Sequence, residues 1–271
     1  MLQEEPNPPA QHWVPESFLN GWALPDVPGG RRPHVWRIDA ATGQSALVPV
    51  PEALLPRTVE HATPLARMLS RMEELYAPTM REVIVPQRRL EAADRAFLAF
   101  FAAAMLARTD EERDNWQGEW QQILEQMQRK ERIRQSIASP ALIQGWATTM
   151  SGDSASFTMQ HGKPFATPNV HRMLPPTMRG VGRLLSSMSM TVLVSSGAVF
   201  IASDRPCVMC GIDLASPQTQ VHLPLSPDRL LTFSWQPDLD GHYVVVAKEG
   251  VASANEITQS HAERWVIASA V

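Results

Sequence analysis

The order of patterned segments predicts an α+β fold: an N-terminal β-hairpin, a central helical bundle, and a C-terminal antiparallel sheet closed by a final helix. Three observations lead there. Two short strand-like runs, PHVWRID and SALVPV, flank the Gly-containing turn AATGQ near the start of the chain. Between about residues 58 and 150, apolar side chains recur at helical spacing. From about residue 190 onward, β-branched and aromatic runs follow one another at short intervals.

Each element has its own signal. Residues 1–11 hold three prolines and no apolar period, so a flexible arm is expected, with order beginning near His12 and a single α+β domain over 12–271. The prolines around the two hairpin strands place both at sheet edges. Thr63-Pro64 sets a helix start, and Leu65, Met68, Leu69, Met72 and Leu75 form one stripe. A second helix over about 91–107 is apolar on nearly every face and belongs at the centre of the bundle. Thr109 to Glu112 reads as a capping box opening a long helix with Trp116, Trp120, Ile123, Leu124 and Met127. Its far end, RKERIR, reads as a solvated charged face or a small basic patch. Ser139-Pro140 caps another helix, and residues 151–170 form a long aperiodic stretch expected to be a binding loop or lid. A short helix follows at about 175–187. TVLV and AVFIAS then bracket Ser-Ser-Gly as a hairpin, and QVHLPL, RLLTFSW and HYVVVAK continue an antiparallel meander. Ser253-Ala-Asn-Glu256 resembles a capping box for the last helix, expected to carry Ile257, Ala262, Trp265 and Val266.

Composition narrows the function classes. The chain has 271 residues, 44% hydrophobic and 19% charged, with a formal charge of −4. That length buries a core without staples, and that charge gives no global basic field for nucleic acid. Two cysteines three residues apart make no disulfide framework, and MLQEEPNPPAQHW has acids and prolines where a signal peptide has a basic and then an apolar segment. A cytoplasmic protein without membrane attachment is expected. The longest apolar run, AFLAFFAAAMLA, is twelve residues, short of the ~20 that span a bilayer.

The chemistry concentrates in FIASDRPCVMCGID, residues 200–213. Cys207 and Cys210 have the C-x2-C spacing of zinc ribbons and redox motifs, but His222 is the only nearby histidine and no helix signal follows. Two buried apolar thiols fit that context better, while a zinc site completed by His222 and a distant ligand stays open. Asp204 ends an apolar strand and precedes Arg205-Pro206, which suits either a turn residue bonding nearby backbone or a carboxylate hung at a sheet edge. His12, beside Trp13, reads as a packing residue or a general acid-base group. Glu73 and Glu74 flank the first helix's stripe. No H-E-x-x-H, G-x-S-x-G or Walker sequence occurs.

HWVPESFLNGWA, VWRID, LSRMEE, FIASDRPCV, LPLSPDRLLTF and AERWVIAS, in that order, resemble the domain-of-unknown-function 4238 family over about residues 11–269. The most specific parts are H-x-V-P-x-x-x-L and the S-D-x-P at Ser203 to Pro206, where Arg205 stands in place of the family's usual asparagine. The resemblance implies that His12, Glu73, Asp204, Asn255 and Arg264 carry whatever the family does, with Ser203 in the same polar network. Two functions follow as expectations. One is a bacterial-type hydrolase, a nuclease-like effector in which carboxylates hold a divalent cation, His12 activates water and Arg264 bears developing charge on a phosphodiester. The other is a non-catalytic binding or regulatory module in which His12 and Asp204 belong to a structural polar network. Nucleic acid is the candidate partner of the first, and a protein partner of the second.

Overall fold

A computed structural model describes residues 14–24, 32–54, 64–106 and 176–270. The expected arm, His12, the capping box and tryptophan helix after residue 107, the helix at Ser139-Pro140 and the loop at 151–170 lie outside the described residues.

The described chain opens with a one-turn helix α1 (Glu16–Leu19) and a 3-10 turn (Asn20–Trp22). Strands β1 (His34–Asp39) and β2 (Ser45–Pro49) form the expected hairpin, with Trp36 opposite Leu47. Asp39 closes its turn by accepting the N–H groups of Ala41 and Thr42. A short helix α2 (Val50–Ala53) follows. Helix α3 (Pro64–Thr79) begins at its proline, as expected, since the missing N–H there costs no helical bond. It carries Pro78 near its end and passes directly into a π-helical turn, Met80–Ile84, which accommodates the interrupted ladder. Helix α4 (Ala92–Leu106) buries every side chain from Phe97 to Met105, as its all-round apolarity predicts. It packs on α5 (Pro176–Ser187), where Gly182 lies against the Phe100 ring so closely that a Cβ would clash.

Seven further strands complete two sheets: β3 (Ser189–Ser195), β4 (Ala202–Ser203), β5 (Val208–Cys210), β6 (Gln220–Ser226), β7 (Arg229–Ser234), β8 (Tyr243–Val246) and β9 (Trp265–Ala268), with helix α6 (Lys248–His261) between β8 and β9. One sheet has the order β5-β6-β7-β3-β8 and the other β2-β1-β9-β4. The main apolar cluster joins α1, α3, α4 and α5 to the inner face of the first sheet and to Val35 and Ile267 of the second. Its aromatic centre is Phe18, Trp22, Tyr76 and Phe101, with Phe18 and Trp22 rings 5.0 Å apart and Tyr76 and Phe101 stacked at 4.9 Å.

The α+β class stands, and five expectations about its details are corrected. The final helix does not reach Trp265. It ends at His261, and Trp265 to Ala268 extend to pair with β1. An aromatic and β-branched run bonded to a neighbouring strand gains more from the ladder than from a helical stripe. Ser253 and Glu256 fall inside that helix, whose N-cap is Ala247, so they form no capping box. AVFIAS does not fold back on β3. Trp22 Nε1 donates to the Phe200 carbonyl at 2.9 Å and Asn255 bonds the backbone of Val199 and Ile201, so side chains satisfy these peptide groups before Ala202 and Ser203 join β9. The sheet is not a pure meander, because β8 runs parallel to β3, and β1 lies inside its sheet between β2 and β9 rather than at an edge.

Candidate functional site

Of the sequence-predicted polar network, Ser203, Asp204, Asn255 and Arg264 collect at one corner of the four-stranded sheet, where β4 ends beside the turn entering β9. The geometry starts with backbone pairing: Asp204 N–H donates to the Trp265 carbonyl at 3.0 Å, continuing the ladder one residue past β4. This fixes the aspartate opposite the segment leaving α6. Its carboxylate then accepts three backbone N–H groups, from Glu263 at 3.0 Å on Oδ1 and from Arg264 at 2.9 Å and Trp265 at 3.1 Å on Oδ2. Three donors that the helix end and the strand start would otherwise leave unpaired are thereby satisfied by one charged acceptor.

The neighbours reinforce the corner. Ser203 is fully buried, its hydroxyl donating to the Arg205 carbonyl at 2.7 Å and accepting from the Arg205 N–H at 3.2 Å. That local ring turns the chain just before Pro206. Arg205 reaches back to Glu263, with Nε and Nη2 both donating to Oε1 at 2.9 and 2.6 Å, a charged tie between the same two segments. Arg264 meets Asp204 through its backbone. Its guanidinium lies over the Trp265 ring, 4.5 Å from the centre, and the Arg37 guanidinium lies 4.3 Å from the same centre. Asn255, on α6, spends both ends of its amide on the bend before β4: it donates to the Val199 carbonyl at 2.8 Å and accepts the Ile201 N–H at 3.1 Å.

Glu73 sits elsewhere, half-buried on α3, where its carbonyl accepts the Ser17 hydroxyl at 3.4 Å and so ties α3 to α1. No hydrogen bond or ion pair links it to Asp204 among the described residues. The structure thus brings Ser203, Asp204, Arg264 and Asn255 to one corner, places Glu73 at a different junction, and leaves His12 outside the described residues.

The cysteine pair divides between the two sides of its strand. Cys207 belongs to the main core with Met209 and Val221, whereas Cys210 lies opposite Gln220 and shares the face of His222. Burial pushes both thiols up from their ordinary value, and the nearby Cys210 adds to the rise at Cys207, so neither is an activated thiolate. His222 is buried and held low by desolvation, with Nε2 3.2 Å from Gln220 Oε1. Among the described residues no group of three or more His, Cys, Asp or Glu side chains is placed to share a metal ion. Among them, too, no helix is long and apolar enough to cross a membrane.

Sequence reasoning missed Trp22, Arg37, Trp265 and Glu263 as members of this corner. The first two had no local signal, since their partners lie far along the chain: Trp22 reaches Phe200 across a separation of 178 residues. Trp265 and Glu263 were visible as residues but assigned to a helix.

Residues 10–270 match the family described as Protein of unknown function (DUF4238), and the chain belongs to that family. No curated protein and no solved structure matches it. Family membership covers nearly the whole chain and carries no reaction with it.

Proposed function

We propose that this protein is a non-catalytic binding or regulatory module, and that the polar residues around Asp204 serve its architecture. The observation that supports this reading most is the three backbone N–H groups gathered by the Asp204 carboxylate. A carboxylate that works as a metal ligand or base must offer lone pairs to the reacting group, and here three of its roughly four lone-pair sites already accept main-chain N–H groups. Releasing them would strand three peptide donors at the end of α6 and the start of β9. Ser203 and Asn255 are committed in the same way, to backbone groups of the adjoining bend. The Arg264 guanidinium is stacked on Trp265, so it braces β9 as well.

The competing reading is a phosphodiester hydrolase that uses His12, Glu73, Asp204 and Arg264 with a divalent cation. A direct test is a screen of RNA, single-stranded DNA and duplex DNA with magnesium, manganese or zinc, run with wild type and His12→Ala. Coincident traces without product are expected from both proteins. Metal-dependent cleavage by wild type that disappears in His12→Ala, with an unchanged melting temperature, would overturn the binding-module reading.

A further inference from the structure

Strands β1 and β9 set two arginines against one tryptophan. In their antiparallel register Arg37 lies opposite Ile267 and Asp39 opposite Trp265, so Arg37 and Trp265 stand on the same face as diagonal neighbours. The Arg37 guanidinium lies 4.3 Å from the centre of the indole and the Arg264 guanidinium 4.5 Å from it. The two charges are therefore within about 9 Å of each other, inside the Debye length of about 10 Å at 0.1 M salt.

Neither charge is neutralised by a partner. Arg81, Arg95, Arg205 and Arg229 each form an ion pair, whereas among the described residues Arg37 and Arg264 form none. The nearby Asp39 is committed to its own turn. The Thr42 N–H and hydroxyl are the main causes that hold its carboxyl below the ordinary value, and the Arg264 charge is a lesser one.

Stacking on an aromatic ring uses the flat face of a guanidinium and leaves its in-plane N–H donors free. In Arg37, Nη1 donates to the Glu52 carbonyl at 3.1 Å, while Nε is buried without a partner. That leaves open the edge formed by Nε and Nη2, the same edge with which Arg205 holds Glu263. The Arg264 guanidinium and the Trp265 indole N–H make no hydrogen bond among the described residues. The indoles of Trp22 and Trp235, by contrast, donate to the carbonyls of Phe200 and Leu214. A buried donor left unpaired is costly, and an anion bound between two unpaired cations would remove that cost.

We propose that Arg37, Arg264 and the Trp265 indole N–H form a binding site for a phosphoryl group, as carried by inorganic phosphate or a phosphate monoester. A carboxylate has two oxygens in one plane, and a single guanidinium fork fills it. A phosphoryl group offers three acceptor oxygens that do not share a plane with its phosphorus, so two forks and an indole N–H can each engage a different one. The site names the ligand class of the binding module proposed above and rests on that reading for its purpose. The two fail separately: lost phosphate binding overturns the site, whereas cleavage in the nucleic-acid screen overturns the reading.

Isothermal titration calorimetry of the full chain with inorganic phosphate, phenyl phosphate and acetate tests the site, using wild type, Arg37→Gln, Arg264→Lys and Arg81→Gln. Wild type should bind one phosphoryl ligand per chain, with acetate weaker by at least about tenfold. The tighter of phosphate and phenyl phosphate identifies the source of the group. Arg37→Gln removes one fork, and Arg264→Lys keeps the charge but loses the other. Each should raise the dissociation constant for phosphate by at least about tenfold. Arg81→Gln removes an exposed charge paired with Glu82 and should leave it unchanged. A proton–nitrogen correlation spectrum of wild type gives a readout that does not depend on how the variants fold: phosphate should shift the Trp265 indole N–H, assigned by its absence in Trp265→Phe, ahead of the other tryptophans. No saturable phosphate binding, acetate bound as tightly as phosphate, an Arg81→Gln effect equal to that of Arg37→Gln, or an unmoved Trp265 resonance would overturn the site.

Discussion

The five-stranded and four-stranded sheets are held by different physics. The first draws all five of its strands from residues 189–246, a stretch left only for β4, and its inner face is apolar: Met190, Val192, Val221, Leu223, Leu231 and Phe233 are all at or near zero exposure. The second is assembled from separated segments, with β1 and β2 from residues 34–49, β4 from the middle of the first sheet's stretch and β9 from residues 265–268. Two of its strands are short, and its corner is closed by the Asp204 carboxylate, the Arg205–Glu263 ion pair and the Asn255 amide. A sheet made of neighbours in sequence can rest on a shared apolar face. A sheet sewn from distant segments needs directional bonds to fix where each segment stops, because loop closure gives no register.

The largest effect should come from the apolar sheet. Leu231→Ala deletes a fully buried side chain between β6 and β3 and should cost about 3 to 4 kcal/mol in urea unfolding. Asp204→Ala should follow at about 2 to 3 kcal/mol, because three N–H donors lose a charged acceptor while solvent reaches some of them. Backbone exchange should rise first in β9 and β4 and leave β6 and β7 protected. If Asp204→Ala cost more than Leu231→Ala, or opened both sheets together, the proposed contrast between the sheets would fail.

The smallest effect concerns a histidine buried on the apolar sheet. His222 Nε2 lies against Gln220 Oε1, and Nδ1 is buried without a partner among the described residues. Desolvation holds the imidazole below its ordinary value of 6.5, so the folded chain keeps it neutral where the unfolded chain would protonate it. A depressed histidine contributes its full stability above the unfolded value, and that contribution falls as pH drops through 6.5 toward the folded value. Relative to His222→Gln, wild type should lose stability as pH falls from neutral through 6.5. Thermal melts of both proteins across that range would show it, and parallel curves would mean that the ring is solvated.

How legible the molecule was in its sequence follows the same division. The N-terminal hairpin, the proline start of α3, the buried α4 and the strands β3, β6 and β7 were all readable, because their signals are periodicity and turn chemistry within a few residues. Strand β9 was not. Trp265-Val-Ile-Ala follows an amphipathic helix without Gly or Pro to mark the stop, and its strand character comes from β1, more than two hundred residues earlier. The candidate site was half legible. Ser203, Asp204, Asn255 and Arg264 were selected together and do meet at one corner, but what each side chain bonds there could not be read from residue type.

By itself, the sequence determined the class of fold, the apolar core and the importance of the short segment around Asp204. These depend on local pattern and composition, which survive without knowledge of the partner. Only the tertiary structure decided that the chain leaves one sheet for the other at Phe200, that its last apolar run is a strand, and that the Asp204 carboxylate faces three peptide N–H groups. Those outcomes turn on which backbone groups remain unsatisfied after distant segments meet, and a buried peptide group takes the nearest good partner wherever in the chain it lies.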